Sequence, residues 1–341
     1  THIAFVKVHK CASSTIGSVL IKFGYQRHLL FGLPTQDGGH IGWPRPLLPE
    51  HVYRLKDAMS LGKKMDMIVH HAVFSYKTFS HIMPSDTIYL AVLREPFEQF
   101  HSALNFFTGP RKTLRLPPRD FVANFLQNPD KYEKPVPFWF SNRMAGTKSI
   151  THNMMATDLG YPPDKFNDIE NIKRFISFMD KTFSLVMIKE YFFESLVLMR
   201  RRLCWEIRDI LFIKLNSAHK RTKSTDSYPS AVKQKYYNWS KVDYEMYKYF
   251  RNKFLIEVKK EGSDFVDEVN HFLKINEALN TYCKMNRYTE APFESPESRW
   301  NERIVFKRAE CSILFKIPYQ MTKGLKESFD LMVPRFEEIK V

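Results

Sequence analysis

The chain has 341 residues, 44% hydrophobic and 15% aromatic, enough for one large core or two small ones and too apolar for a disordered protein. Lys+Arg 52 against Asp+Glu 37 leaves a formal net charge of +15, which attracts polyanions (nucleic acid, anionic membrane, nucleotide cofactors, sulfated glycans) without choosing among them. No run of about eighteen apolar residues reads as a membrane span, and Cys11, Cys204, Cys283 and Cys311 lack the paired spacing of a zinc site.

Residues 2–8 read as a strand, and 14–23 as a helix with Ile16, Val19, Leu20 and Phe23 on one face. Residues 65–71 (MDMIVHH) give a second strand, and 87–93 (TIYLAVL) a third, apolar throughout as a doubly covered parallel strand requires. Glu95-Pro96 opens a helix with Phe97, Phe100 and Leu104 as its inner stripe. Residues 109–119 are basic and Pro-rich, a loop; 120–127 and 168–182 are helices, with a fourth strand over 183–188. A helix over 192–205 points Leu196, Met199 and Leu203 inward, 214–230 is a polar loop, and 242–283 is mostly helical, with Tyr247, Phe250, Phe254 and Val258 in register. The tail beyond Asn286 is weakly patterned. Strands alternating with helices imply an α/β fold with a central, mainly parallel sheet flanked by helices.

In such a fold the turn from first strand to first helix lies at the carboxyl end of the sheet, where ligands bind. There the sequence reads FVKVHKCASSTIG: Lys10, then Ala12, Ser13, Ser14 and Thr15 at a helix N-terminus whose N–H groups attract an anion. The competing reading is an ordinary serine cap with a solvated lysine. A Walker loop is excluded, because its glycines and final lysine are missing.

The order lysine, small residue, hydroxyl cluster resembles the 5′-phosphosulfate loop of sulfotransferases, which use 3′-phosphoadenosine 5′-phosphosulfate (PAPS) on a P-loop-like fold. The string HKCASST is similar to the HKTASST of the galactose-3-O-sulfotransferase family, with Cys11 where that family usually has Thr. Leu93-Arg94-Glu95-Pro96 with Phe100, Ser102 and Phe106-Phe107 resembles the family's LRDP…FES…YY element. MATDLGYPPD (155–164), KEYFFESLVLMRRRLCW (189–205), FIKLNS (212–217) and 247–254 resemble further family stretches in order, so the likeness covers roughly residues 2–285.

The resemblance implies a PAPS-dependent carbohydrate sulfotransferase that forms 3-O-sulfated galactose and releases 3′-phosphoadenosine 5′-phosphate. Lys10 is then the catalytic cation at the leaving oxygen, with Ser14, Thr15, more loosely Ser13, and the Ala12 amide on the 5′-phosphate. Arg94 and Ser102 clamp the 3′-phosphate; the alternative for Arg94 is a helix-start pairing with Glu95 or Glu98. His71 is the expected base, matching the histidine of the family's NHMRF element, although Val73 replaces its arginine. Neighbours on a strand face opposite ways, so His70 should pack against a helix instead. No metal is required if lysine and helix amides supply the positive charge.

The loop 32–49 holds His40 and Trp43, and the tryptophan reads as a loop anchor in preference to a sugar-stacking ring. Arg111, Lys112 and Arg115 read as a solvated face in preference to a glycan or headgroup contact. The expected acceptor is a galactose-terminated glycan or galactolipid. The expected domains are a catalytic unit over 1–285 and an extension over 286–341 packed on it. A start at Thr1 and the family's type II topology together imply a Golgi lumenal domain whose membrane anchor lies upstream. In that compartment the sequon at Asn238 permits glycosylation, and Cys204 and Cys283 stand where the family also has cysteines. Alternative readings are a glycosaminoglycan O-sulfotransferase and a noncatalytic nucleotide or polyanion binder of the same fold. A P-loop kinase and a nucleic-acid protein lack their motifs.

Overall fold

The computed structural model describes residues 1–36, 38–107, 116, 120–132, 149–214, 224–284 and 291–335. Of the basic loop 109–119 only Leu116 is among them, so Arg111, Lys112 and Arg115 lie outside the described residues, as does the end of FIKLNS.

The central sheet has five parallel strands in the order β2-β3-β1-β4-β5: β1 Ile3–Val6, β2 Phe31–Gly32, β3 Met67–Ile68, β4 Ile88–Leu93 and β5 Leu185–Ile188. β1 (IAFV) and β5 (LVMI) are buried at every position, as strands covered on both faces must be. Helices follow in chain order: α1 Ser13–Gln26, α2 Leu55–Ser60, α3 Tyr76–Ile82, α4 Pro96–Phe106, α5 Phe121–Gln127, α6 Pro129–Tyr132, α7 Met154–Asp158, α8 Ile169–Thr182, α9 Phe192–Leu203, α10 Ile207–Ile210, α11 Ser230–Trp239, α12 Lys241–Lys260, α13 Asp264–Lys284, α14 Arg308–Leu314 and α15 Pro318–Met332.

At Gly24 α1 packs against the side chains of β2 and β3 with no room for a side chain of its own. A Cβ there would stand 2.4 Å from Met67 Sδ and 2.6 Å from Phe31 Cζ. The stripe Ile16, Val19, Leu20 and Phe23 is buried, as its spacing requires.

The expected strand over 65–71 is a two-residue ladder. Beyond it the chain pairs with a loop instead of a strand: Ile41 N–H donates to His71 O at 2.7 Å and His71 N–H to Gly39 O at 2.9 Å. The helical stretch 242–283 is two helices, parted at Gly262 with φ +93°. The weakly patterned tail forms an antiparallel hairpin (β6 Phe293–Ser295, β7 Ile304–Phe306) followed by α14 and α15.

Cys283 and Cys311 form a disulfide joining α13 to α14, while Cys11 and Cys204 are free thiols. Of the two cysteines at family positions, only Cys283 is therefore bonded. α15 packs on α1: a Cβ at Gly17 would sit 3.1 Å from Pro318 Cγ, and Ser18 Oγ donates to Lys316 O at 3.2 Å. Among the described residues no helix is long and apolar enough to cross a membrane.

Candidate active site

β1 is central, with β3 on one side and β4 on the other, so the crevice at its carboxyl end is the switch point where open α/β sheets take ligands. The loop there bends twice through the left-handed region, at Lys10 (φ 62°) and Ala12 (φ 60°), with Cys11 between them outside it. Each such residue with a Cβ costs about 1–2 kcal/mol. Alternation of this kind turns successive N–H groups into one concavity, an anion nest.

The strain is held by its surroundings. Ser13 Oγ donates to Val8 O at 2.6 Å, Arg94 Nη1 to Lys10 O at 3.1 Å and Gln99 Nε2 to His9 O at 3.1 Å. Ser13 thus spends its hydroxyl on the loop itself. Thr15 N–H is used within the first turn, on Ala12 O at 3.1 Å. The hydroxyls of Ser14 and Thr15 make no hydrogen bond among the described residues, and α1 has no side-chain cap.

Lys10 Nζ rests 3.7 Å over the Phe106 ring. Burial, then the Arg94 charge, pulls its pKa from 10.5 to about 8. α4 brings Glu98, Ser102 and Phe106 to one face, a turn apart, and this face meets the loop. Arg94 Nη2 donates to Glu98 Oε2 at 2.7 Å, so the helix-start pairing is present. Its second arm holds Lys10 O, and its buried Nε has no partner among the described residues. The other Glu98 oxygen accepts from the Thr225 hydroxyl.

On the opposite side of the loop stands a stack of imidazoles. His71 Nδ1 donates to Lys7 O at 2.7 Å, which leaves its Nε2 as the lone-pair nitrogen. Burial, followed by the charges of His9, Lys7 and His40, holds the His71 pKa well below 6.5, so the ring is neutral at physiological pH. His9 lies face to face with it, centroids 3.8 Å apart, and His40 is 5.1 Å from His71. His9 Nδ1 donates to Asp158 Oδ2 at 2.7 Å, and its buried Nε2 has no partner among the described residues. His70 faces the other way, its Nε2 3.1 Å from Thr322 Oγ1 on α15. Trp43 is 1% exposed and donates its indole N–H to Asp158 Oδ1 at 2.8 Å; it anchors the loop.

The fold therefore gathers Lys10, the nest, Arg94 and the α4 face on one side and His71 on the other. Sequence reading missed His9, Asp158 and Lys7, a buried lysine whose pKa burial lowers to about 7. Asp158 was in view within MATDLGYPPD, but nothing local says that it meets residue 9. The turn that aims it needs Gly160, at φ +91°, where a Cβ would stand 2.3 Å from Phe74 O.

The fold thus brings a loop shaped as an anion nest and an imidazole with a free lone pair together at the carboxyl end of a parallel sheet. The sequence model of the galactose-3-O-sulfotransferase family matches residues 1–291, and the chain belongs to that family of sulfotransferase enzymes. It is 29% identical over 287 residues to galactose-3-O-sulfotransferase 2 of Mus musculus, across 83% of this chain and 70% of that one. It is 30% identical over 285 residues to galactosylceramide sulfotransferase of Homo sapiens, across 83% of this chain and 64% of that one. Galactose-3-O-sulfotransferase 3 of Mus musculus is 30% identical over 268 residues, with 78% of this chain and 59% of that one aligned. The match thus spans less than two thirds of two of these three relatives.

Proposed function

We propose that this chain transfers the sulfuryl group of PAPS to the 3-hydroxyl of a terminal β-galactose on a glycolipid or glycoprotein glycan, in the Golgi lumen. The observation that carries the reading is that the nest following β1 contains Lys10, while His71 is bonded to Lys7 O at the start of the same loop and stacked on His9. The residues fit the donor: the nest, Ser14 and Thr15 suit a 5′-phosphate, and the partnerless Arg94 Nε, with Ser102 further along α4, suits the 3′-phosphate. Bound there, PAPS supplies an electrophilic sulfur with a phosphate leaving group.

Lys10 meets the charge that grows on the leaving oxygen, and its ammonium leaves the Phe106 face to do so. His71 Nε2 takes the proton of the attacking hydroxyl; its neutral state and fixed tautomer suit that step. One observation favours a second base. His9 carries the carboxylate of Asp158 on Nδ1, the arrangement that strengthens an imidazole and fixes its tautomer. The disulfide Cys283–Cys311 supports a lumenal setting.

The test is sulfur-labelled PAPS with galactosylceramide, lactose, N-acetyllactosamine, core-1 disaccharide and desulfated heparan. Label on a β-galactoside that is lost when its 3-hydroxyl is blocked is the expected result. Label on heparan alone moves the acceptor class, and PAPS binding without label on any acceptor overturns the enzymatic reading.

A further inference from the structure

One ring nitrogen from each of His9, His40 and His71 lies within 4.8 Å of the other two. Around one zinc ion, with Zn–N near 2.1 Å and tetrahedral angles, such nitrogens stand about 3.4 Å apart. Closing that gap takes a shift of at most about 1.4 Å per pair. Because the rings of His9 and His71 are stacked, bringing the three nitrogens to a common point takes changes in the first side-chain torsion as well as in the broad last one.

The surroundings are those of a ligand set. Metal-binding histidines nearly always donate their second ring nitrogen to a carboxylate or a backbone carbonyl, which fixes the tautomer. His9 does so to Asp158 at 2.7 Å and His71 to Lys7 O at 2.7 Å. Both are thereby left with Nε2 as the available donor, and that of His9 is buried without a partner among the described residues. His40 is carried to them by the backbone bridge between residues 40 and 71. Three imidazole ligands select a borderline d-block cation; magnesium and calcium prefer oxygen ligands.

We infer that His9, His40 and His71 form a site for a divalent transition-metal ion of the zinc class, and that an ion bound there shuts the enzyme off. Metal binding stands on the three rings alone, whereas inhibition rests on the proposed transfer reaction. The ion consumes the nitrogen lone pairs of both candidate bases. Three protein ligands leave the fourth position to water, the open pattern that allows exchange and removal by a chelator.

The test uses the full chain with cobalt(II) and zinc(II) chlorides, in wild type, His40→Ala and His40→Asn. Their folding is checked by near-ultraviolet circular dichroism. Wild type should take one cobalt per chain with the visible bands of four-coordinate cobalt, and zinc should bleach them. Zinc should cut sulfuryl transfer and a chelator should restore it. Each variant, scored against its own zinc-free rate, should need roughly tenfold more zinc or higher, and should lose the cobalt bands. Absence of cobalt bands in wild type, equal zinc sensitivity in a folded His40 variant, or faster transfer with zinc would each overturn the inference. The cobalt titration decides the site even if no acceptor is ever sulfated, which separates its failure from that of the proposed reaction.

Discussion

One oxygen of Asp158 accepts two hydrogen bonds from His9, from the backbone N–H at 2.9 Å and from Nδ1 at 2.7 Å. A single carboxylate thus fixes both the path of the β1–α1 loop and the orientation of an imidazole, while its other oxygen holds Trp43. Asp158→Asn keeps the shape but sets an amide donor against donors. Because the group is fully buried, the expected loss is roughly 3 kcal/mol or more, with transfer falling in parallel. Trp43→Phe removes one donor from the buried carboxylate and should cost about 1–3 kcal/mol. Urea denaturation of the two variants makes the comparison.

His71→Gln and His9→Gln separate the two candidate bases. Loss of the true base should lower kcat by about 10²–10⁴-fold and leave PAPS binding unchanged. Lys10→Ala should lower both turnover and PAPS affinity, because in the proposed reaction that ammonium meets the donor itself. Single-turnover rates alongside equilibrium binding of PAPS give each term separately.

Lys10 carries a pH signature. Its pKa is depressed to about 8, so the ammonium is present below that pH and is lost above it. The kcat/KM for PAPS should therefore be level near pH 7 and fall through an apparent pKa near 8. Lys10→Arg, which stays charged, should abolish the fall whatever its absolute rate. A profile in which Lys10→Arg falls at the same pH assigns the titration elsewhere.

Gly160→Ala places a methyl 2.3 Å from Phe74 O at φ +91°. Strain and overlap together should cost about 2–4 kcal/mol. The same turn aims Asp158, so circular dichroism in the aromatic region should change around Trp43. An unchanged midpoint would mean that the turn relaxes freely.

Reduction of Cys283–Cys311, bonded across 28 residues, should lower stability by roughly 3–4 kcal/mol. Cys283→Ala/Cys311→Ala should match the reduced protein, and Cys204→Ala should change nothing, because that thiol is exposed and free. Denaturant midpoints with and without reductant check both.

The parts of the fold legible in the sequence are those with strong local signals. β4 and β5 are short apolar runs, and the stripe of α1 has helical period, so each declares itself within a few residues. Alternation along the extended chain beyond β3 likewise separates His70, turned to α15, from His71, turned to His9. β2 pairs over two residues, too few for any period to register, and of the strand expected over 65–71 only Met67 and Ile68 join the sheet. The pairing of His9 with Asp158 spans 149 positions, and only the folded chain brings them together. The sequence offers Ser13 as a looser contact than Ser14; the folded loop turns its hydroxyl inward altogether.

The last fifty residues have a bearing on how this enzyme can be cut and recombined. Pro318 presses on Gly17, Thr322 holds His70, Asp330 ties to Arg54, and Cys311 is tethered to Cys283. The family match ends at residue 291, ahead of all four tail residues. A fragment trimmed to the matched region, or a chimaera given another member's tail, would alter the backing of the β1–α1 loop while leaving every motif residue in place. Domain swaps meant to exchange acceptor preference should carry the tail together with α1.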